Sequence, residues 1–149
     1  MAKIIDGKAV SASVKQQVAD ECAELFKATG KKPGLAVIIV GDDPASKVYV
    51  NNKKKACELV GFLSKEYALP AQTTQQELIE LVEKLNNDDE INGILCQLPL
   101  PKHLDEKAVI EAISPKKDVD AFHAVNVGKI MIGDYDFLPC TPAGVMELL

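Results

Sequence analysis

What this chain lacks narrows its function before any motif is read. Its four cysteines, Cys22, Cys57, Cys96 and Cys140, include no Cys-x-x-Cys pair, so neither a zinc site nor a disulfide framework is indicated. Only two histidines occur, His103 and His123, at neither metal nor triad spacing, and both are expected in exposed loops. The longest basic run is Lys53-Lys54-Lys55, whose members point to different faces of a helix. With a net charge of −5 the chain offers no stripe for nucleic acid and no surface for a membrane. Its longest apolar stretch, Leu35 to Val40, is far too short to span a bilayer. The opening segment Met1-Ala2-Lys3-Ile4-Ile5-Asp6-Gly7 has no long apolar core of the kind a signal peptide carries. Reducing cytoplasm is the expected home. A dinucleotide-binding loop is also missing, since Gly41-Asp42-Asp43 does not follow Gly-x-Gly-x-x-Gly.

What is present is enough for one domain with a buried core: 149 residues, 47% hydrophobic and 26% charged. Val10, Val14, Val18, Cys22, Leu25 and Phe26 recur at helical spacing, with Gly30 as the stop. Gly34 to Gly41 encloses a continuous apolar run that suits a parallel strand covered on both faces. Asp43-Pro44 reads as an N-cap and a first-turn proline, opening a helix that Gly61 ends. Phe62 to Leu69 predicts a less buried strand. Thr74-Gln75-Gln76-Glu77 is a capping box ahead of the apolar stripe Leu78, Leu81, Val82 and Leu85. After a polar turn, Asn86 to Asp89, a third strand is expected over Gly93 to Leu98, stopped by Pro99 and Pro101. A further helix is expected from Asp105 to Ile113. Strand and helix alternate, which argues for an α/β domain, its mostly parallel sheet flanked by helices in three layers.

Thr141-Pro142 reads as the cap and first turn of another helix, which runs for only about two turns before Leu149. Its apolar residues Val145, Leu148 and Leu149 ask for a partner. The expectation is a piece of a longer protein.

The candidate chemistry lies in Tyr49 and Lys53, four residues apart and so on one helix face. A flat aromatic surface and a mobile ammonium at that spacing can grip a conjugated ligand and exchange protons with it. The same spacing also describes an amphipathic helix surface. Lys53 lies on the helix that follows the Leu35–Val40 strand, and Gln97 near the end of the Gly93–Leu98 strand, so both fall at the carboxyl edge of a parallel sheet, where ligand crevices lie. An amide inside an apolar strand needs a partner, since an unsatisfied one costs about 1–3 kcal/mol, and Lys53 is a candidate; a neighbouring backbone group is another. Asp118 and Asp120 can reach the same edge, as ligand-binding groups, as loop caps or as a weak metal pair. Cys96 reads as a small apolar core residue.

Taken in order, Pro44-Ala45-Ser46-Lys47-Val48-Tyr49-Val50-Asn51-Asn52-Lys53-Lys54-Lys55-Ala56, Gly93-Ile94-Leu95-Cys96-Gln97-Leu98-Pro99-Leu100-Pro101, Lys117-Asp118-Val119-Asp120-Ala121-Phe122-His123 and Pro139-Cys140-Thr141-Pro142 closely resemble a known family. It is the bifunctional methylenetetrahydrofolate dehydrogenase/methenyltetrahydrofolate cyclohydrolase family of one-carbon metabolism, and the resemblance covers essentially the whole chain. Asp6-Gly7-Lys8 and Gly34-Leu35-Ala36 fit it too. The match is to the N-terminal, folate-binding domain, with residues 1–138 forming that domain and 139–149 the start of the helix leading into an NADP-binding Rossmann domain absent here.

The resemblance implies that Tyr49 stacks on the aminobenzoyl ring of the folate and that Lys53 moves protons and activates water. It implies that Gln97 holds Lys53 and that Asp120 anchors the pterin. Val50, Asn51 and Asn52, with Cys96, Leu98 and Pro99, would complete the substrate contacts. The implied chemistry is hydride transfer from 5,10-methylenetetrahydrofolate to NADP, then hydrolysis of the methenyl product to 10-formyltetrahydrofolate, with no metal. The parent protein is expected to be a homodimer and this chain a monomer or a weak associate. Two departures stand out. Ala121 occupies a position that is usually glycine, where a left-handed backbone would be strained, and Cys96 one that is usually valine. Tyr-x-x-x-Lys also occurs in short-chain dehydrogenases, but these require the N-terminal glycine-rich loop this chain lacks. The rival of a different class is a folate-binding domain without turnover.

Overall fold

The computed structural model describes residues 4–149; the first three residues of the N-terminal segment read above lie outside the described residues. Helix α1 spans Gly7–Thr29, capped by the Asp6 carboxylate accepting from the N–H groups of Lys8 and Ala9 and stopped by Gly30 in the left-handed conformation. Strand β1 is Gly34–Val40 and helix α2 Pro44–Val60, capped by Asp43 accepting from the Ser46 N–H. Strand β2, Leu63–Leu69, leads to helix α3, Gln75–Asn86, which carries the full capping box between Thr74 and Glu77. Strand β3, Gly93–Cys96, is followed by three helices: α4, Glu106–Ala112; α5, Ala124–Ile132; and α6, Cys140–Leu148.

The three strands are parallel in the order β2-β1-β3, with Leu35 opposite Ser64 on one side and Gly93 on the other. Central β1 is buried because successive side chains feed two different layers. Ala36, Ile38 and Val40 face the larger core with Leu78, Val82 and Leu85 of α3 and Val109 of α4. Val37 and Ile39 face the smaller one with Val50 of α2 and Leu95. Each large apolar side chain so buried contributes about 1.5–3 kcal/mol. The middle strand also demands glycine at its start: a Cβ on Gly34 would sit 1.8 Å from the Glu90 carbonyl oxygen.

The sequence expectations need correcting at four places. The regular pairing of β3 ends at Cys96, so Gln97 lies just beyond the strand and not within it. Its N–H still donates to the Ile38 carbonyl at 2.8 Å, after which Leu98-Pro99 takes the chain away. Alternation also stops there. Beyond β3 the only pairing among the described residues is an isolated bridge from Ile94 to Asp118. Helix α5 was not foreseen, because Gly128 and two valines blur its period, and His123, expected as an exposed loop residue, is half-buried and caps it by accepting from the Val125 N–H at 3.1 Å. Finally, α6 starts at Cys140 with Pro139 in the cap position, so Thr141 and Pro142 fall in its first turn, where a missing proline N–H costs nothing.

Candidate functional site

Helix α2 buries Ser46, Val50, Cys57 and Val60, and Lys53 occupies the same inward stripe between Val50 and Cys57. A lysine at a core-facing position can keep its stem in the apolar layer only if its head finds a polar partner. It does. Lys53 Nζ donates to Gln97 Oε1 at 2.9 Å, while Gln97 Nε2 donates to the Leu98 carbonyl at 2.8 Å. The carbonyl partner fixes which end of the amide faces the lysine. One helical turn earlier, Tyr49 stands at the mouth of this cleft, 61% exposed.

The location follows from topology. The chain leaves β1 toward the face covered by α2, and leaves β3 toward the face covered by α3 and α4. A crevice opens at the carboxyl ends of adjacent strands whose connections diverge in this way. The Gln97–Pro101 segment walls one side of it. Leu100 N–H donates to Glu106 Oε1 at 2.8 Å, which anchors that wall to α4.

The third wall is the 118–123 turn. Asp118 is a loop cap, settling one of the alternatives open for it: its buried carboxylate accepts from the His123 N–H at 2.8 Å and from Asn126 Nδ2 at 2.9 Å. Ala121 N–H closes the turn on the Asp118 carbonyl at 3.2 Å, with Ala121 fully buried at φ +55°. The left-handed backbone expected there is thus present with an alanine in it, at a cost of about 1–2 kcal/mol, and Asp120 lies within the field of the Lys53 charge.

Asp120 is half-buried, and loss of water pushes its carboxyl above the ordinary range. The Lys53 charge opposes that rise and the Asp118 carboxylate adds to it. The Cys96 thiol is pushed up to about 12 by burial, then by Glu106 and Asp120. Cys140, at the start of α6, is raised by burial and by Asp120 and lowered by Lys53, so it too borders the site. The structure therefore brings Lys53, Gln97 and Asp120 together, with Tyr49 exposed one helical turn before Lys53. Among the described residues, no three His, Cys, Asp or Glu side chains gather to hold a metal ion.

Val50, Asn51 and Asn52 fare differently. Val50 is core, Asn52 lies on the outer surface, and Asn51 faces the opposite flank of α2. There it lines a groove of about 610 Å³ with Lys47, Lys54 and Glu66, between α2 and β2. Leu98 touches the Lys53–Gln97 pair through its carbonyl, which accepts from Gln97 Nε2, and Pro99 follows it. Sequence reasoning missed Glu106, Asn126 and Cys140 as neighbours of the site. Glu106 and Asn126 lie on helices that only the fold brings to the loops they hold, and Cys140 carried no spacing signal.

The sequence model described as tetrahydrofolate dehydrogenase/cyclohydrolase, catalytic domain, matches residues 5–120. The bifunctional protein FolD of Acetivibrio thermocellus is 64% identical over 148 residues, which is 99% of this chain and 52% of that protein. FolD of Ruminiclostridium cellulolyticum is 60% identical over the same share of each. Among solved structures, the bifunctional methylenetetrahydrofolate dehydrogenase/cyclohydrolase of Campylobacter jejuni superposes with a TM-score of 0.93 at 48% identity, covering 99% of this chain and 52% of that one. The Trypanosoma brucei enzyme, solved with NADP cofactor and an inhibitor, gives 0.94 at 40% identity, over 99% and 51%. The chain spans about half the length of the curated relatives it matches.

Proposed function

The chain belongs to the tetrahydrofolate dehydrogenase/cyclohydrolase family, and on that premise we propose that it is the folate-handling half of a bifunctional enzyme of one-carbon metabolism. The whole enzyme would oxidise 5,10-methylenetetrahydrofolate with NADP and hydrolyse the resulting 5,10-methenyltetrahydrofolate to 10-formyltetrahydrofolate. The observation that carries this reading is the hydrogen bond from Lys53 to Gln97, at the carboxyl edge of the sheet between exposed Tyr49 and half-buried Asp120.

Each residue has a part that its setting supports. Tyr49 offers a platform for the conjugated, cationic ligand. Asp120 accepts hydrogen bonds from the ring nitrogens of the pterin. In hydrolysis, water adds to the one-carbon bridge, the bond from that carbon to N5 breaks, and one proton is released. Lys53, held by Gln97, carries protons to and from that water. Residues 1–138 form the folate domain, and 139–149 lead onward from it.

NADP would supply the hydride acceptor, but the residues here do not fit it. The β1–α2 turn is Gly41-Asp42-Asp43-Pro44, without the glycines a pyrophosphate needs and with two carboxylates where it would lie. No redox step is derived from this chain. The whole protein would be a cytoplasmic homodimer and this chain alone a monomer or a weak associate, which sedimentation tests.

Spectroscopic assay of methenyltetrahydrofolate hydrolysis by the purified chain, with Lys53→Ala as control, decides the matter. Turnover abolished by the substitution supports the hydrolytic role. Absence of turnover with intact folate binding supports the second reading, a binding domain without catalysis. Absence of both refutes the site.

A further inference from the structure

Two acidic residues separated by one residue end up in opposite situations. Asp118 is 3% exposed and, among the described residues, has no cation partner; it is held by the His123 N–H and by Asn126, itself 3% exposed. Asn126 Nδ2 also reaches the Pro115 carbonyl at 2.9 Å, so one side chain on α5 holds both Pro115 and Asp118 on the segment entering the turn. The backbone between them is fixed as well: Ile94 N–H donates to the Lys117 carbonyl at 2.7 Å, and Ala121 is locked at φ +55° onto the Asp118 carbonyl. The backbone on either side of Asp120 is thus held by hydrogen bonds.

We propose that the buried pair Asp118 and Asn126 forms a positioning device for Asp120, clamping the 118–123 turn so that Asp120 faces Lys53 with a second carboxylate behind it. The inference deepens the folate-site reading and rests on it for the identity of the ligand. A buried carboxylate with only amide partners is costly where a neutral asparagine would make the same two acceptor contacts. Its retention has a consequence at Asp120. The groups facing Asp120 are Lys53 from α2, Asp118 from its own turn, Cys96 from β3 and Cys140 from α6. Lys53 favours the ionised Asp120 and Asp118 disfavours it, so the pair of opposing charges sets the pH at which Asp120 begins to accept donors from a ligand.

The test uses the full chain and two readouts. The Asp120 carboxyl is titrated by carbon-13 NMR without ligand, and binding of 5-formyltetrahydrofolate is measured calorimetrically from pH 4 to 8. In Asp118→Asn, which keeps the acceptor oxygen and removes the charge, the Asp120 titration is expected to move to lower pH. The acid limb of the binding profile should move with it. In Asn126→Ala, affinity is expected to fall at least roughly tenfold with a changed Asp120 titration. Variants that melt earlier yet leave the Asp120 titration in place and the affinity within about twofold would reduce the pair to scaffolding and overturn the proposal. If the unaltered chain binds no folate, the ligand assignment fails, while the carboxyl titration still decides the positioning.

Discussion

Lys53 Nζ donates to Gln97 Oε1 at 2.9 Å across the gap between helix α2 and the end of strand β3. The two residues are 44 positions apart in sequence, so only the parallel sheet brings them together. Gln97 cannot turn away, because its nitrogen is engaged by the Leu98 carbonyl.

Removing either partner should therefore affect the chemistry unequally. Lys53→Ala is expected to lower methenyltetrahydrofolate hydrolysis by about 10²–10⁴, the usual worth of a proton-transfer group. Gln97→Ala leaves the lysine present but mobile and should cost roughly 10–100-fold, the worth of a hydrogen bond to a charged group, mostly in kcat. Steady-state kinetics on both variants check this; equal losses in KM alone would contradict the assigned roles.

Asp120→Asn separates binding from stability. The folded-state carboxyl is raised, by burial first, with Lys53 opposing and Asp118 reinforcing. A raised acid contributes stability that is fully present below its unfolded value near 3.8 and is lost as pH rises through the folded value. At neutral pH the ionised Asp120 thus works against the fold. Asparagine should raise the melting temperature at pH 7, narrow that gain at pH 4, and weaken folate binding by about tenfold or more. Scanning calorimetry at both pH values and a binding titration measure the three effects.

These relationships differ in how far the sequence foretells them. Strand β1 and helices α1 to α4 announce themselves through glycine stops, capping residues and apolar period, all of which are local. The Tyr49–Lys53 spacing is local too, and so legible before the fold. Helix α5 is not, because Val125, Val127, Met131 and Ile132 are exposed and leave no polar face to set a period. Asn126 and Glu106 escaped notice for another reason: their partners are backbone groups of loops whose placement is set by the tertiary fold. Gln97 reads as a strand residue because nothing in the sequence before Pro99 marks where pairing ends.

Ala121 is a second place where magnitudes decide. Its left-handed backbone costs about 1–2 kcal/mol, whereas its buried methyl returns about 0.8 kcal/mol and glycine would lose about 0.5–1 kcal/mol in chain entropy. These nearly cancel, so Ala121→Gly should change unfolding free energy by less than about 1 kcal/mol. Ala121→Val adds a branched side chain to a position with no free space and should cost more than about 2 kcal/mol. Urea denaturation of the two variants measures both. A large gain from glycine would mean the turn is more strained than its hydrogen bonds suggest.

Cys140 reports on the site from its rim. It is the only exposed thiol among Cys22, Cys57, Cys96 and Cys140, so iodoacetamide at pH 8 should label it first. Cys96, buried and pushed up to about 12, should stay unmodified in the folded chain. Burial and Asp120 raise the Cys140 thiol, and Lys53 lowers it, so its alkylation should be slower than that of free cysteine. Asp120→Asn removes one of the raising charges and should speed labelling roughly two- to fivefold, while Lys53→Ala should slow it. Bound 5-formyltetrahydrofolate should protect Cys140 in the unaltered chain. Mass spectrometry of timed digests gives each rate; labelling indifferent to both substitutions would mean that Cys140 lies outside the field of the Lys53–Asp120 pair.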